Sequence, residues 1–172
     1  FTSNGVLGDE FVIDDKVCEC CPTASVRYKD TLVVAYRDRT DEEIRDINIA
    51  RKAGDIWEKP YRVHNDNWKI AGCPVNGPML AIQKGKIAIA WYTGAKKSAR
   101  VNVAFSKDIG RTFSEPIRID LSMPLGRVDL EWINNDEVIV SWIESGDETS
   151  NIYARRVNIN TRLSKETLVE KI

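Results

Sequence analysis

Two landmarks recurring about every fifty residues, a central strand pattern apolar on both faces and the lack of any helical period predict an all-β chain. The predicted architecture is a β-propeller of four-stranded antiparallel blades, here three blades plus one extra strand. The first landmark is an apolar run ending in an aromatic. It reads TLVVAY to Tyr36, KIAIAW to Trp91 and EVIVSW to Trp142, with the aromatics 55 and 51 residues apart. The second is a β-rich run, INIAR to Arg51, VNVAF to Phe105 and NIYAR to Arg155, spaced by 54 and 50 residues. Both landmarks keep one register, which marks a repeated supersecondary unit.

Residues 1–17 contain EFVIDDKV, which is similar to EPIRIDLSMP in the middle unit and reads as the outer strand of a preceding blade. A blade follows over residues 18–66, a second over 67–120 and a third over 121–172. In the middle unit the strands fall near Met79–Gln83, Lys86–Trp91, Arg100–Ser106 and Phe113–Ile119. Gly85 marks a tight turn between the first two, and Thr93-Gly94-Ala95 opens a longer loop. Ile87, Ala88, Ile89 and Ala90 are apolar at every position, as a strand covered on both faces by stacked blades requires. Propellers close with about four to eight blades. Three therefore leave two open sheet faces, to be covered by blades upstream or by a second copy.

Composition narrows the function. The chain has 172 residues, 42% of them hydrophobic, enough for one large core. Lys and Arg number 25 against 26 Asp and Glu, so a net charge of −1 gives no field to attract nucleic acid or an anionic membrane. No apolar run reaches the ~20 residues of a membrane span. A start at Phe1 without the charged, apolar, small-residue order of a signal peptide suggests a processed or trimmed chain.

Ser106-Lys107-Asp108-Ile109-Gly110-Arg111-Thr112-Phe113 fits S-x-D-x-G-x-T-F, the Asp-box pattern. Its chemistry is structural. The Asp carboxylate accepts turn N–H groups, Gly takes a positive φ, Thr adds a hydroxyl bond and Phe plugs the blade. Ala50–Trp57 (ARKAGDIW) reads as a decayed copy, and the third unit has none.

The box, sitting at the third-to-fourth strand turn of a fifty-residue repeat, resembles that of the sialidase-like, BNR-repeat propellers. The phrases CECCPTA, AYRDRTDEEIRDI, IAGCPVNGP and GRVDLEWI resemble a bacterial exported group described as sialidase-like. The resemblance implies half of a six-bladed wheel and an exported protein, periplasmic, cell-surface or secreted.

Up-and-down topology puts the second-to-third loops and the blade connections at one rim, opposite the Asp-box. Cys18, Cys20, Cys21, residues 37–46, and residues 64–78 with Cys73 then share that rim, joined by residues 93–99 and 121–127. In YRDRTDEEIRD the charges read as a solvated loop, or as an Arg37–Arg39 fork for a carboxylate or phosphate. The resemblance implies an arginine triad on the substrate carboxylate, a Tyr nucleophile assisted by Glu, and an Asp acid/base. Arg37, Arg39 and Arg127 are the candidate arginines for that triad, Asp38 or Asp46 the candidate acid/base and Tyr92 the candidate nucleophile. The F/Y-R-I-P signature that supplies one arginine is absent. Trp68 reads as a sugar-stacking ring or as rim packing. His64 is the single histidine, which excludes a multi-His metal site within this chain.

The four cysteines read as two disulfides clamping the blade entrances, as a four-thiolate site for Zn or Cu(I), or as free thiols. Pro74, Asn76, Gly77 and Pro78 read as a rigid turn. Three functions follow: a sialidase-like propeller binding or hydrolysing an acidic glycan, which needs no cofactor; a noncatalytic propeller with a cysteine clamp, docking a protein; and a thiolate metal binder.

Overall fold

The computed structural model of the chain describes residues 10–160, 162–163 and 167–171. Three antiparallel sheets follow one another along the chain. The first contains β1 (Ala24–Tyr28), β2 (Thr31–Arg37), β3 (Ile47–Ala53), β4 (Ile56–Trp57) and β5 (Tyr61–Arg62), with both short strands pairing to β3. The second contains β6 (Met79–Gln83), β7 (Lys86–Thr93), β8 (Arg100–Ser106) and β9 (Ile117–Arg118). The third contains β10 (Pro124–Trp132), β11 (Glu137–Ser145), β12 (Ser150–Asn158), β13 (Arg162–Leu163) and β14 (Thr167–Lys171). Each sheet is an up-and-down meander of the propeller-blade kind. The repeat landmarks coincide with β2, β7 and β11 and with β3, β8 and β12.

The register of β7 explains why Ile87 to Trp91 are apolar at every position. Ile87, Ile89 and Trp91 pack with Val33, Ala35, Ile47 and Ile49 of the first sheet, while Ala88 and Ala90 face Val128, Leu130, Val138 and Trp142 of the third. The small alanines share a core with the large tryptophans Trp132 and Trp142, and the isoleucines share theirs with Val33, Ala35, Ile47 and Ile49, so each face of the strand is covered by a neighbouring blade. Each isoleucine removed from water in this way contributes about 1.5–3 kcal/mol.

Two expectations change. Of the outer strand expected over residues 1–17, residues 1–9 lie outside the described residues, and residues 10–17 form no continuous strand, pairing only through one isolated bridge. The segment instead lies beside the first blade: Phe11 stacks on Trp57, Tyr36 donates to Asp14 at 2.6 Å and Val17 bridges to Asp38. The fourth strand of the middle blade, expected over Phe113–Ile119, shortens to β9: Ser114 N still donates to the Phe105 carbonyl at 2.8 Å, but its side-chain oxygen accepts from the Phe105 amide at 3.1 Å in place of a ladder carbonyl.

The turn before β9 is closed by side-chain bonds to Asp108 and Ser106. Asp108 Oδ1 accepts from the Arg111 and Thr112 amides, both at 3.0 Å, and Oδ2 accepts from Thr112 Oγ1 at 2.7 Å. Gly110, at φ 73°, donates to Ser106 Oγ at 2.8 Å and lies against Val33 of the preceding blade. Arg51 reaches across to the Ile109 carbonyl at 2.9 Å, and Tyr61 donates to that of Gly110. These bonds tie neighbouring blades along one rim, which leaves the opposite rim to carry the chemically unusual side chains.

Candidate functional site

At the opposite rim the sequence brings three loops to one place. Cys18 N donates to the Arg37 carbonyl at 2.9 Å, fixing the cysteine loop over the end of β2. The loop entering the second blade meets it there, joined by a Cys20–Cys73 disulfide spanning 53 positions. Two inter-blade disulfides were expected, but one forms, because the second loop brings a single sulfur. Cys18 and Cys21 remain thiols. Their sulfurs lie 3.4 Å apart, and the Cys20 sulfur is 3.7 Å from Cys18 and 4.0 Å from Cys21.

Arg37 organises the rim from within. It is 1% exposed, and its guanidinium donates to three carbonyls: Arg45 at 2.6 Å, Tyr92 at 2.7 Å and Asn76 at 2.9 Å. Its plane rests on Trp68, 4.9 Å from the ring centroid. Burial lowers its pKa, and the thiols of Cys21 and Cys18 work in the other direction. Trp68 is itself buried, edge-on to Tyr92 at 5.5 Å. Asp46, also buried, accepts from the amides of Asn67 and Trp68 at 3.0 Å each. Arg37, Asp46 and Trp68 are thus turned toward the protein, each shaping the rim for its neighbours.

The exposed charges lie around this frame. Arg39 chelates Glu43 Oε1 at 2.9 and 3.1 Å and stands 3.5 Å from the largely exposed Glu19. Arg45, 5% exposed, joins Glu43 Oε2 at 2.8 Å to the Cys18 sulfur at 3.0 Å. Arg39 foremost, then Arg45, holds the Glu43 carboxyl below its ordinary pKa. Glu19, Arg39, Glu43 and Arg45 line a groove of about 470 Å³ that ends at Cys73. Around Asp38 is a second cleft, of about 430 Å³, with Asp14, Asp15, Asn48 and Lys59. Burial raises the Asp38 pKa against the backbone N–H of Arg39, which favours the anion. The phenol of Tyr92 is likewise raised by burial, with Arg37 opposing.

Asn76 links the second blade entrance to the third. Its amide donates to the Leu125 carbonyl at 3.0 Å and accepts from Arg127 N at 2.9 Å, and Arg127 returns to the Val75 carbonyl. Asn76 also donates to the Pro74 carbonyl at 3.2 Å within its own turn, as expected, while its reach to the third blade had no local signature in the sequence. Arg45 and Glu43 were submerged in a charged run. Buried Asp66, accepting from Trp91 Nε1 at 2.7 Å, carried no local signature.

No family model matches the chain, and no curated protein matches it by sequence. Solved structures do share its fold. A Hadza microbial sialidase superposes with a TM-score of 0.55 at 17% identity, covering 87% of this chain and 36% of that one. An exo-beta-1,3-galactanase from Clostridium thermocellum gives 0.53 at 14% identity, with 87% and 36% covered. The catalytic domain of a GH62 alpha-L-arabinofuranosidase from Coprinopsis cinerea gives 0.50 at 11% identity, with 87% and 50% covered. At these identities the likeness defines the fold: a partial propeller of the kind found in glycoside hydrolases, spanning a third to a half of the chains it matches.

Proposed function

We propose that this chain forms part of a glycan-active propeller, with an acidic glycan as ligand and Asp38 as the acid/base. The observation that carries this reading is the state of Asp38. Its carboxyl sits in a cleft at the cysteine-bearing rim, half-buried, with its pKa displaced upward as a general acid requires. Arg39 and Arg127 supply partly or fully exposed guanidiniums for a carboxylate, while Arg37 acts as scaffold. Tyr92 serves as nucleophile only with a base beside it, since burial keeps its phenol protonated. The disulfide favours an oxidising compartment and so supports export.

The test is sugar release by the full-length protein from aryl glycosides of neutral and acidic sugars, a sialoside among them. Asp38→Asn is expected to lower kcat about 10²–10⁴-fold with an unchanged circular dichroism spectrum. A full-length protein that neither cleaves nor retains any of these sugars would sink the reading. The engagement of Arg37, Asp46 and Trp68 in internal contacts favours a second one, a noncatalytic rim that docks a protein. It predicts that Asp38→Asn leaves every activity of the protein unchanged.

A further inference from the structure

Three cysteine sulfurs within 4.8 Å of one another, with a fourth bonded to one of them, are an unusual density of soft ligands. At a zinc–sulfur bond of about 2.3 Å, the sulfurs of a tetrahedral site stand roughly 3.8 Å apart. Cys18, Cys20 and Cys21 are spaced at 3.4, 3.7 and 4.0 Å, on either side of that value. The C-x-C-C spacing, which is tight for one ion, is accommodated here because Cys18 turns back over the end of β2 and the Cys21 amide bonds to its carbonyl at 3.2 Å.

Charge supplies an independent argument. A zinc ion with four thiolates carries −2. Beside the sulfurs lie the buried guanidiniums of Arg37 and Arg45 and the part-buried Arg39, opposed by Glu43. Three cations against Glu43 and the exposed Glu19 leave a net positive charge beside the sulfurs. Arg45 already donates to the Cys18 sulfur at 3.0 Å, the kind of outer-shell bond that orients a thiolate ligand. Burying arginines against neutral sulfurs is costly; against an anionic cluster they are compensated.

We infer that, in its reduced state, this rim is a zinc site formed by Cys18, Cys20, Cys21 and Cys73. The disulfide and the metal centre are alternative states of the same four sulfurs. A dithiol reductant opens Cys20–Cys73 with two electrons and two protons and is itself converted to a disulfide. Zinc then displaces one proton from each of the four thiols. The site lies at the junction of two blades, so the ion replaces the disulfide as their clamp. None of this depends on the glycan reading.

The test uses the full-length protein, reduced under anaerobic conditions and freed of reductant, then titrated with Co²⁺ as a spectroscopic probe. One equivalent is expected to give thiolate-to-metal charge-transfer bands and the d–d bands of a tetrahedral all-sulfur site. One equivalent of Zn²⁺ abolishes them, and the oxidised protein gives none. Arg45→Gln is expected to weaken the affinity about 10–100-fold while keeping the spectrum. Cys21→Ser loses the all-sulfur spectrum. Where that variant does not fold, iodoacetamide labelling of the wild type replaces it: zinc protects all four thiols together. A folded reduced protein that binds no ion, gives a nitrogen or oxygen ligand spectrum, takes up only Cu⁺, or leaves any of the four thiols open to alkylation overturns the inference.

Discussion

Gly77 runs so close to Pro22 that a Cβ at position 77 would lie 1.9 Å from the Pro22 carbonyl oxygen. The loop entering the first blade and the loop entering the second are in backbone contact at that point, which is what holds Cys20 within reach of Cys73.

Gly77→Ala therefore forces the two loops apart. Since the obstructing atom is backbone, the clash cannot be relieved by a rotamer, and a loss of about 3 kcal/mol is expected. Gly72→Ala, in the same loop with nothing nearer than 3.8 Å, should stay within ~0.5 kcal/mol. Urea midpoints of the two variants measure the contrast; equal midpoints would contradict the close approach.

Cys73→Ser removes a cross-link over 53 positions. Loop-closure entropy puts its contribution at about 4 kcal/mol as an upper value. The wild type, reduced and held in chelator, should lose the same amount, and its urea midpoint should fall to that of the variant.

Arg37→Lys separates a scaffold from a ligand contact. An ammonium cannot reach three carbonyls set around a planar fork, so a loss of about 2–3 kcal/mol is expected. Thermal melts of the variant check it. Unchanged stability together with weakened glycan binding would move Arg37 to the ligand.

Asp108→Ala should cost about 1–2 kcal/mol at neutral pH, through the lost bonds to Arg111, Thr112 and Ser106. Burial opposes the anion, but the bonds from Thr112, Ser106 and Arg111 hold the carboxyl below its ordinary value. A depressed folded pKa means the stabilisation is complete above the unfolded value near 3.8 and is lost as pH falls through the folded one. The gap between variant and wild type should therefore close toward pH 2, as denaturation curves across that range would record.

The repeat, the first three strands of the middle blade, the two-sided burial of Ile87 to Ala90 and the bonding of Ser106 to Thr112 were all legible in the chain. So was the meeting of Cys18, Cys20 and Cys21 with Cys73 at one rim. Strand alternation and turn chemistry act over a few residues, and a repeat period orders whole blades, so each leaves a mark in linear order.

What linear order could not contain was the partner of each rim side chain. Arg37 sits at a strand end beside exposed charges and reads as outward; stacking the blades closes the carbonyls of Asn76 and Tyr92 over it, 39 and 55 positions away. Trp68 is sealed by the same stacking, and Asn76 becomes a bridge because the third blade's entrance arrives beside it. By itself the sequence determined the blades and which of their ends carries the sulfurs and arginines. Only the tertiary structure decided which of those groups face inward, because burial at a rim is created by the neighbouring blade and belongs to no single segment.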